Sequence, residues 1–240
     1  MDYGIQLYSI RDLARDNFEE AIATAARLGY ASIEFAGFFG RDPAAVNAAL
    51  EKNGIRVCGT HSPWVDLAEN FDETVRFHKE IGNGIYTIPG ADLSTPEKLR
   101  DFVEFLNFTT PRLAAEGITL AYHNHSREFI TNSFGVRTHD VLAAETPVFF
   151  EIDTYWAFVA GEDPVAVLEK YAHRMKQIHL KDGSHDGKGQ ALGEGEAPLC
   201  EVMSAARRLG LYMIVESETQ RPDGPSEIGR CIDWLRANPV

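Results

Sequence analysis

One short apolar run is closed by groups able to bind a metal or move a proton. In ITLAYHNHSREF, residues 118–129, the stretch Ile118 to Ala121 gives way to His123, His125 and Glu128. The pattern recurs downstream. VFFEID ends in Asp153, MKQIHLKD passes through His179 and Lys181, and LYMIVESE ends in Glu216 and Glu218. Asp, Glu and His form a mixed oxygen and nitrogen donor set. It suits Mn2+, Mg2+, Co2+ or Zn2+ and lacks the soft sulfur of a structural zinc site. The expected metal ligands are Glu128, Asp153, His179 and Glu216. A divalent ion that grips a carbonyl and a neighbouring hydroxyl acidifies the carbon between them. A carboxylate or His beside that carbon can then act as general base.

Each assignment has a plainer rival. Asp153 could cap a short turn, although an acid closing FFEID is costly unless paired. His179 could be a satisfied core histidine. Glu128 lies past the strand end, so His123 or His125 could take its place as ligand. The other histidines would then serve as base or hydroxyl donor, which makes His123, His125 and Glu216 the catalytic candidates. Gln6, Glu34, His61, Trp156 and Lys181 are the substrate-binding candidates. Against this, His61 could cap a loop, Trp156 could be packing, Lys181 could only pair with Glu218, and Glu194 fits a turn.

The elements that must position these residues alternate along the whole chain. Eight strand-like segments are each followed by a helix-like one: YGIQLYS, ASIEFAG, IRVCGTHSP, GIYTIPG, GITLAYHNH, PVFFEID, RMKQIHLKD and LYMIVESE lead the units. The first helix is expected near 16–28, with Asp16 as N-cap, Glu19 three residues on and Gly29 as the stop. Others follow Pro43 up to Gly54, near 69–81, from Thr95 to Glu116, near 136–145, from Asp163-Pro164, near 198–209 and near 226–237. Several strands lack apolar/polar alternation, as parallel strands covered on both faces do. Eight such units in 240 residues match a single (β/α)8 TIM-barrel domain over residues 1–240. In that fold the strand C-termini share one mouth. The rival, an open doubly wound nucleotide-binding sheet, has neither a GxGxxG after the first strand nor a P-loop.

Composition narrows the partners. A formal net charge of −13 opposes nucleic-acid binding. Three scattered cysteines without a CxxC pair suit a reduced compartment. No apolar run reaches the roughly 18–20 residues of a membrane span, and the N-terminus does not read as a signal peptide. A cytoplasmic protein acting on a small sugar or keto-sugar is expected, with self-association through outer helices left open.

The pieces GIQLYSIRD, IEFAG, YHNHSREF, EIDTYW, IHLKDG, GEGE and VESE together resemble the sugar phosphate isomerase/epimerase family, with its xylose isomerase-like TIM barrel. The YHNHxxEF segment with the IHLKD strand marks one branch of it. The resemblance implies a divalent metal, often Mn2+, held by Glu, Asp, His and Glu at successive strand ends. The last three fall on Asp153, His179 and Glu216. Many members carry the first Glu within the fifth strand, where this chain reads Tyr122-His123, and that departure moves the first ligand to Glu128. The leading expectation is an isomerase or epimerase working through an enediolate. The alternative is a dehydratase or lyase on a keto-sugar or 3-keto-glycoside, with His123 or His125 as acid. An endonuclease IV-like nuclease and a non-catalytic barrel are the remaining contrasts.

Overall fold

The computed structural model describes residues 2–239, so the two terminal residues of the expected 1–240 domain lie outside it. Eight parallel strands close into a barrel. They are β1 (Gly4–Gln6), β2 (Ser32–Ala36), β3 (Arg56–His61), β4 (Ile85–Ile88), β5 (Thr119–His123), β6 (Phe149–Asp153), β7 (Met175–Leu180) and, after a two-stranded hairpin β8 (Asp182–Gly183) and β9 (Gly189–Gln190), β10 (Tyr212–Val215). Each strand pairs with its neighbour in sequence, and β1 pairs with both β2 and β10, which completes the ring.

The helices follow from local chemistry. The first unit is divided: α1 (Arg11–Asp16) precedes α2 (Phe18–Leu28). The N-cap of α2 is Asn17, one residue later than expected, because its side chain accepts the Glu20 N–H. Gly29 stops the helix at φ 98°. α3 (Pro43–Asn53) is capped by Asp42 and α6 (Pro96–Ala115) by Thr95, each with proline in the first turn. α4 (Trp64–Glu69) and α5 (Phe71–Glu80) break at Asn70. α7 (Thr138–Glu145), α9 (Pro164–Tyr171), α10 (Leu199–Leu209) and α11 (Gly224–Ala237) complete the outer ring, and a short α8 (Thr154–Val159) follows β6 directly. No helix among the described residues is long and apolar enough to cross a membrane.

The strands have two different faces, both buried. Ile33, Phe35, Tyr86, Ile88, Tyr122, Phe150, Ile152, Ile178, Leu180 and Val215 pack against the helices as the hydrophobic core. The alternate residues face the barrel axis, and here they are polar: Gln6, Glu34, Thr87, Glu151, Gln177 and His179 are all buried. Gly59 in β3 admits this interior. A Cβ there would sit 2.7 Å from both Gln177 Nε2 and Glu34 Oε1, closer than side-chain atoms can approach.

Candidate metal centre at the barrel mouth

Strand parity settles how the fifth strand contributes. Tyr122 turns outward, its ring centroid 5.7 Å from that of Phe102 on α6. His123 therefore turns inward, two residues after Ala121. Beside it, β6 sends in Glu151 and Asp153, and β7 sends in Gln177 and His179, with Lys181 just past its end. Donor atoms of His123, Asp153, His179 and Glu216 all lie within 4.8 Å of one another, and all four residues are buried.

The expected residues Asp153, His179 and Glu216 are thus brought together, with His123 as the fourth. Glu128 stands apart from this group. It sits on the 3-10 turn Ser126–Phe129, where its carboxylate accepts from Tyr122 Oη at 3.2 Å, the His125 backbone N–H at 2.9 Å and Arg127 Nε at 2.9 Å. Those three donors satisfy it where it is, and His123 replaces it as the strand-five ligand candidate. His125 lies outside the cluster but beside it, its ring centroid 5.2 Å from His123 and 5.8 Å from Trp156.

Asp153 fills both roles weighed for it. Its Oδ1 accepts the Trp156 N–H at 3.0 Å as N-cap of α8, while Oδ2 is buried without a hydrogen-bond partner. His123 Nδ1 is buried too, 3.5 Å from Glu151 Oε2 without a hydrogen bond between them. A carboxylate oxygen left dry, as Oδ2 is, is costly, and a divalent cation is a group that would satisfy it. Two carboxylates, two imidazoles and no sulfur fit a borderline or hard divalent ion.

Gln6 and Glu34, expected at the substrate, lie deeper, fully buried behind the ring of His179. Glu34 Oε2 is 2.7 Å from His179 Nε2 and accepts from Gln6 Nε2 at 2.8 Å. Glu151 was not anticipated, nor was Gln177. Glu151 meets His61 Nε2 at 2.6 Å and Gln177 Nε2 at 2.6 Å, and Gln177 also donates to Glu34 at 3.0 Å. His61 therefore faces this inner network, 3.5 Å from Glu34 as well. The signal was present: an acid in the middle of FFEID, two residues before Asp153, shares its face of the strand.

Electrostatics follow from the crowding of acids. Burial, reinforced by Glu151, pushes Glu34 up to about 7. Burial likewise raises Asp153 to about 7, with Lys181 pulling against it and Glu216 adding to it. Burial opposes charge on His179, but Glu151, Glu216 and Glu34 outweigh it and hold the ring well above its ordinary value. His61 is raised in the same way against its burial, by Glu34 and Glu151. Glu216 is held well below the usual range despite burial, by Lys181 and His179. Desolvation lowers both His123 and His125. Lys181 pairs with Glu218 and, at 3.5 Å, with Glu216, and stands 4.8 Å over the Trp156 ring. Trp156 keeps a buried, unpartnered indole nitrogen.

The rim is built by two acids. Asp182 accepts the backbone N–H groups of Gly183, Gly193, Gly195 and Ala197, which folds the Gly-rich loop after β7. Glu227 accepts from Ser217, Thr219 and Arg221 in the loop after β10. Glu194 pairs with Arg230 at 2.7 Å.

A closed parallel barrel with a buried His/Asp/Glu cluster at its C-terminal mouth has its candidate site where TIM-barrel enzymes carry theirs. The chain belongs to the xylose isomerase-like TIM barrel family, whose model matches residues 22–238. It is 25% identical over 196 residues to an inosose dehydratase of Clostridium botulinum (strain Alaska E43 / Type E3), a match covering 71% of this chain and 65% of that relative. In three dimensions it is similar to a sugar phosphate isomerase/epimerase of Parabacteroides distasonis ATCC 8503, at 21% identity and a TM-score of 0.86, covering 99% of this chain and 94% of that one. It also overlays a D-allulose 3-epimerase of Methylomonas sp. in complex with D-allulose, at 15% identity and a TM-score of 0.74, covering 99% and 97% of the two chains.

Proposed function

We propose that this chain removes a proton from the carbon beside the carbonyl of a polyhydroxylated ketone, with a divalent ion, and expels the β-oxygen: a dehydratase or lyase. The carrying observation is that the fourth member of the cluster is His123, where a second proton-moving carboxylate would serve an epimerase.

The ion, held by His123, Asp153, His179 and Glu216, would supply Lewis acidity toward the substrate's carbonyl oxygen. His125, kept neutral by burial, takes the proton from carbon. The C–H electron pair forms the new double bond as the β C–O bond breaks, and His125 returns its proton to the departing oxygen, which leaves as water or an alcohol. One histidine can act on both atoms only if they lie on one side of the substrate. Lys181, charged and buried beside the cluster, balances the negative charge that develops. The indole of Trp156 offers a flat wall and one N–H. The inosose dehydratase relative supports this reading.

The second reading, isomerase or epimerase, is favoured by Glu216: a carboxylate held ionised in the cluster is a second group able to move a proton. Incubating the Mn2+-loaded protein with keto-polyols, ketoses and 3-keto-glycosides in D2O separates them. Unsaturated product with loss of water or alcohol is expected. Deuterium exchange with an isomerised or epimerised sugar and no elimination would transfer the assignment to the second reading. Binding in the cytoplasm as a single-domain enzyme, without nucleic acid, belongs to the same proposal.

A further inference from the structure

A second group of possible ion donors lies beneath the first: His61, His123, Glu151 and His179, again within 4.8 Å of one another. The two groups share both His123 and His179, and that sharing decides what the deeper one does. A neutral imidazole has one lone pair and one N–H. His179 points Nδ1 at Glu216, 3.2 Å away, and Nε2 at Glu34, 2.7 Å away. If Nδ1 gives its lone pair to an ion in the upper group, Nε2 must carry the proton. A second ion below would require the ring to lose both protons. The deeper acids therefore face N–H groups rather than lone pairs.

We infer that Glu34 is a positioning residue for the ion-binding ring of His179. It accepts the Nε2–H, so Nδ1 is the nitrogen left bare toward Asp153 and Glu216. An acceptor on the far nitrogen fixes both the tautomer and the orientation of a metal-binding imidazole and makes it a stronger donor. Glu34 is itself held on three sides. Gln6 donates to the same oxygen, Gln177 donates to the other at 3.0 Å, and Gly59 leaves room for the carboxylate. Glu34 has no exposed surface, so it reaches substrate only through the rings beside it, His179 at 2.7 Å and His61 at 3.5 Å. Gln177 also links it to Glu151, which supports the neighbouring rings of His61 and His123 at 2.6 and 3.5 Å. The deeper group is thus the outer support of one ion site.

The inference rests on His179 binding an ion, and the test separates the two claims. Mn2+ and Zn2+ affinity and stoichiometry are measured by titration calorimetry on the full chain, Glu34→Gln and Thr109→Val. Thr109 is a buried polar residue on α6, outside the network of Glu34, Glu151 and Gln177, so it reports on mere disturbance of the packing. The expected result is one ion per chain, roughly 10- to 100-fold weaker binding in Glu34→Gln, and an unchanged affinity in Thr109→Val. Equal affinity in Glu34→Gln overturns the inference. Failure of the unmodified chain to bind either ion overturns the functional reading instead. Two ions per chain, falling to one in Glu151→Gln, would make the deeper group an ion site and also overturn it. Should Glu34→Gln not fold, 15N shifts of the imidazoles in the Zn2+-loaded unmodified chain decide: His179 must show a protonated Nε2 and a metal-bound Nδ1, and the reverse refutes the role of Glu34.

Discussion

Asp153→Asn should move stability and metal response in opposite directions. Asn keeps the oxygen that caps α8 on Trp156 and replaces the unpartnered Oδ2 with an NH2, which cannot bind a cation. Without metal, the native carboxylate is a liability. Its folded value of about 7 lies above the ordinary 3.8, so the unfolded chain releases this proton more readily. The penalty begins above 3.8, grows as pH rises and is complete above 7. At 1.36 kcal/mol per pH unit it reaches on the order of 4 kcal/mol at pH 8, and well under half of that at pH 5. Asn removes it. For a chain of this length that corresponds to a rise in metal-free Tm on the order of 10 °C at pH 8, and about a third of that at pH 5. Thermal melts with EDTA and with Mn2+ at both pH values provide the assay. Mn2+ should raise the Tm of the unmodified chain and leave Asp153→Asn unmoved. The reasoning fails if the variant is less stable than the parent without metal at pH 8, or if Mn2+ stabilises both alike.

His125→Ala should lower turnover by roughly 10^2- to 10^4-fold with metal content unchanged by elemental analysis; a matching loss of metal would make His125 a ligand instead. Asp182→Ala strips four backbone N–H groups of their acceptor, and a loss on the order of 3 kcal/mol should appear in denaturant melts, with early proteolysis within residues 183–197. Gly59→Ala pushes a Cβ against Gln177 and Glu34, and should cost about 1–3 kcal/mol in the same melts.

The barrel was legible because its signals are local and repeated. Eight apolar runs each feed a helix, and Asp163, Thr95 and Gly29 mark helix ends by side-chain chemistry that acts within a few residues. Asp153, His179 and Glu216 were legible for the same reason, as ionisable groups closing strands. The strand-five member of the cluster was harder. Choosing His123 over Glu128 depends on which way Tyr122 turns, and that is decided by Phe102, on a helix that precedes the strand. It depends too on the turn after β5, which commits Glu128 to Tyr122 and Arg127. The sequence places Glu34 only at the substrate and leaves Glu151 and Gln177 unremarked, because all three stand within apolar segments, yet the same two-residue spacing that joins Glu216 to Glu218 joins Glu151 to Asp153 and Gln177 to His179.

Because a single carboxylate grips the first turn of α8 with one oxygen and leaves the other bare within the candidate metal cluster, an ion bound there would be coupled directly to the protein backbone. Loading the ion should quiet the opening motions that expose the Trp156 amide, so hydrogen exchange at that one peptide group would report whether the barrel is charged or empty, in advance of any substrate and in the absence of turnover.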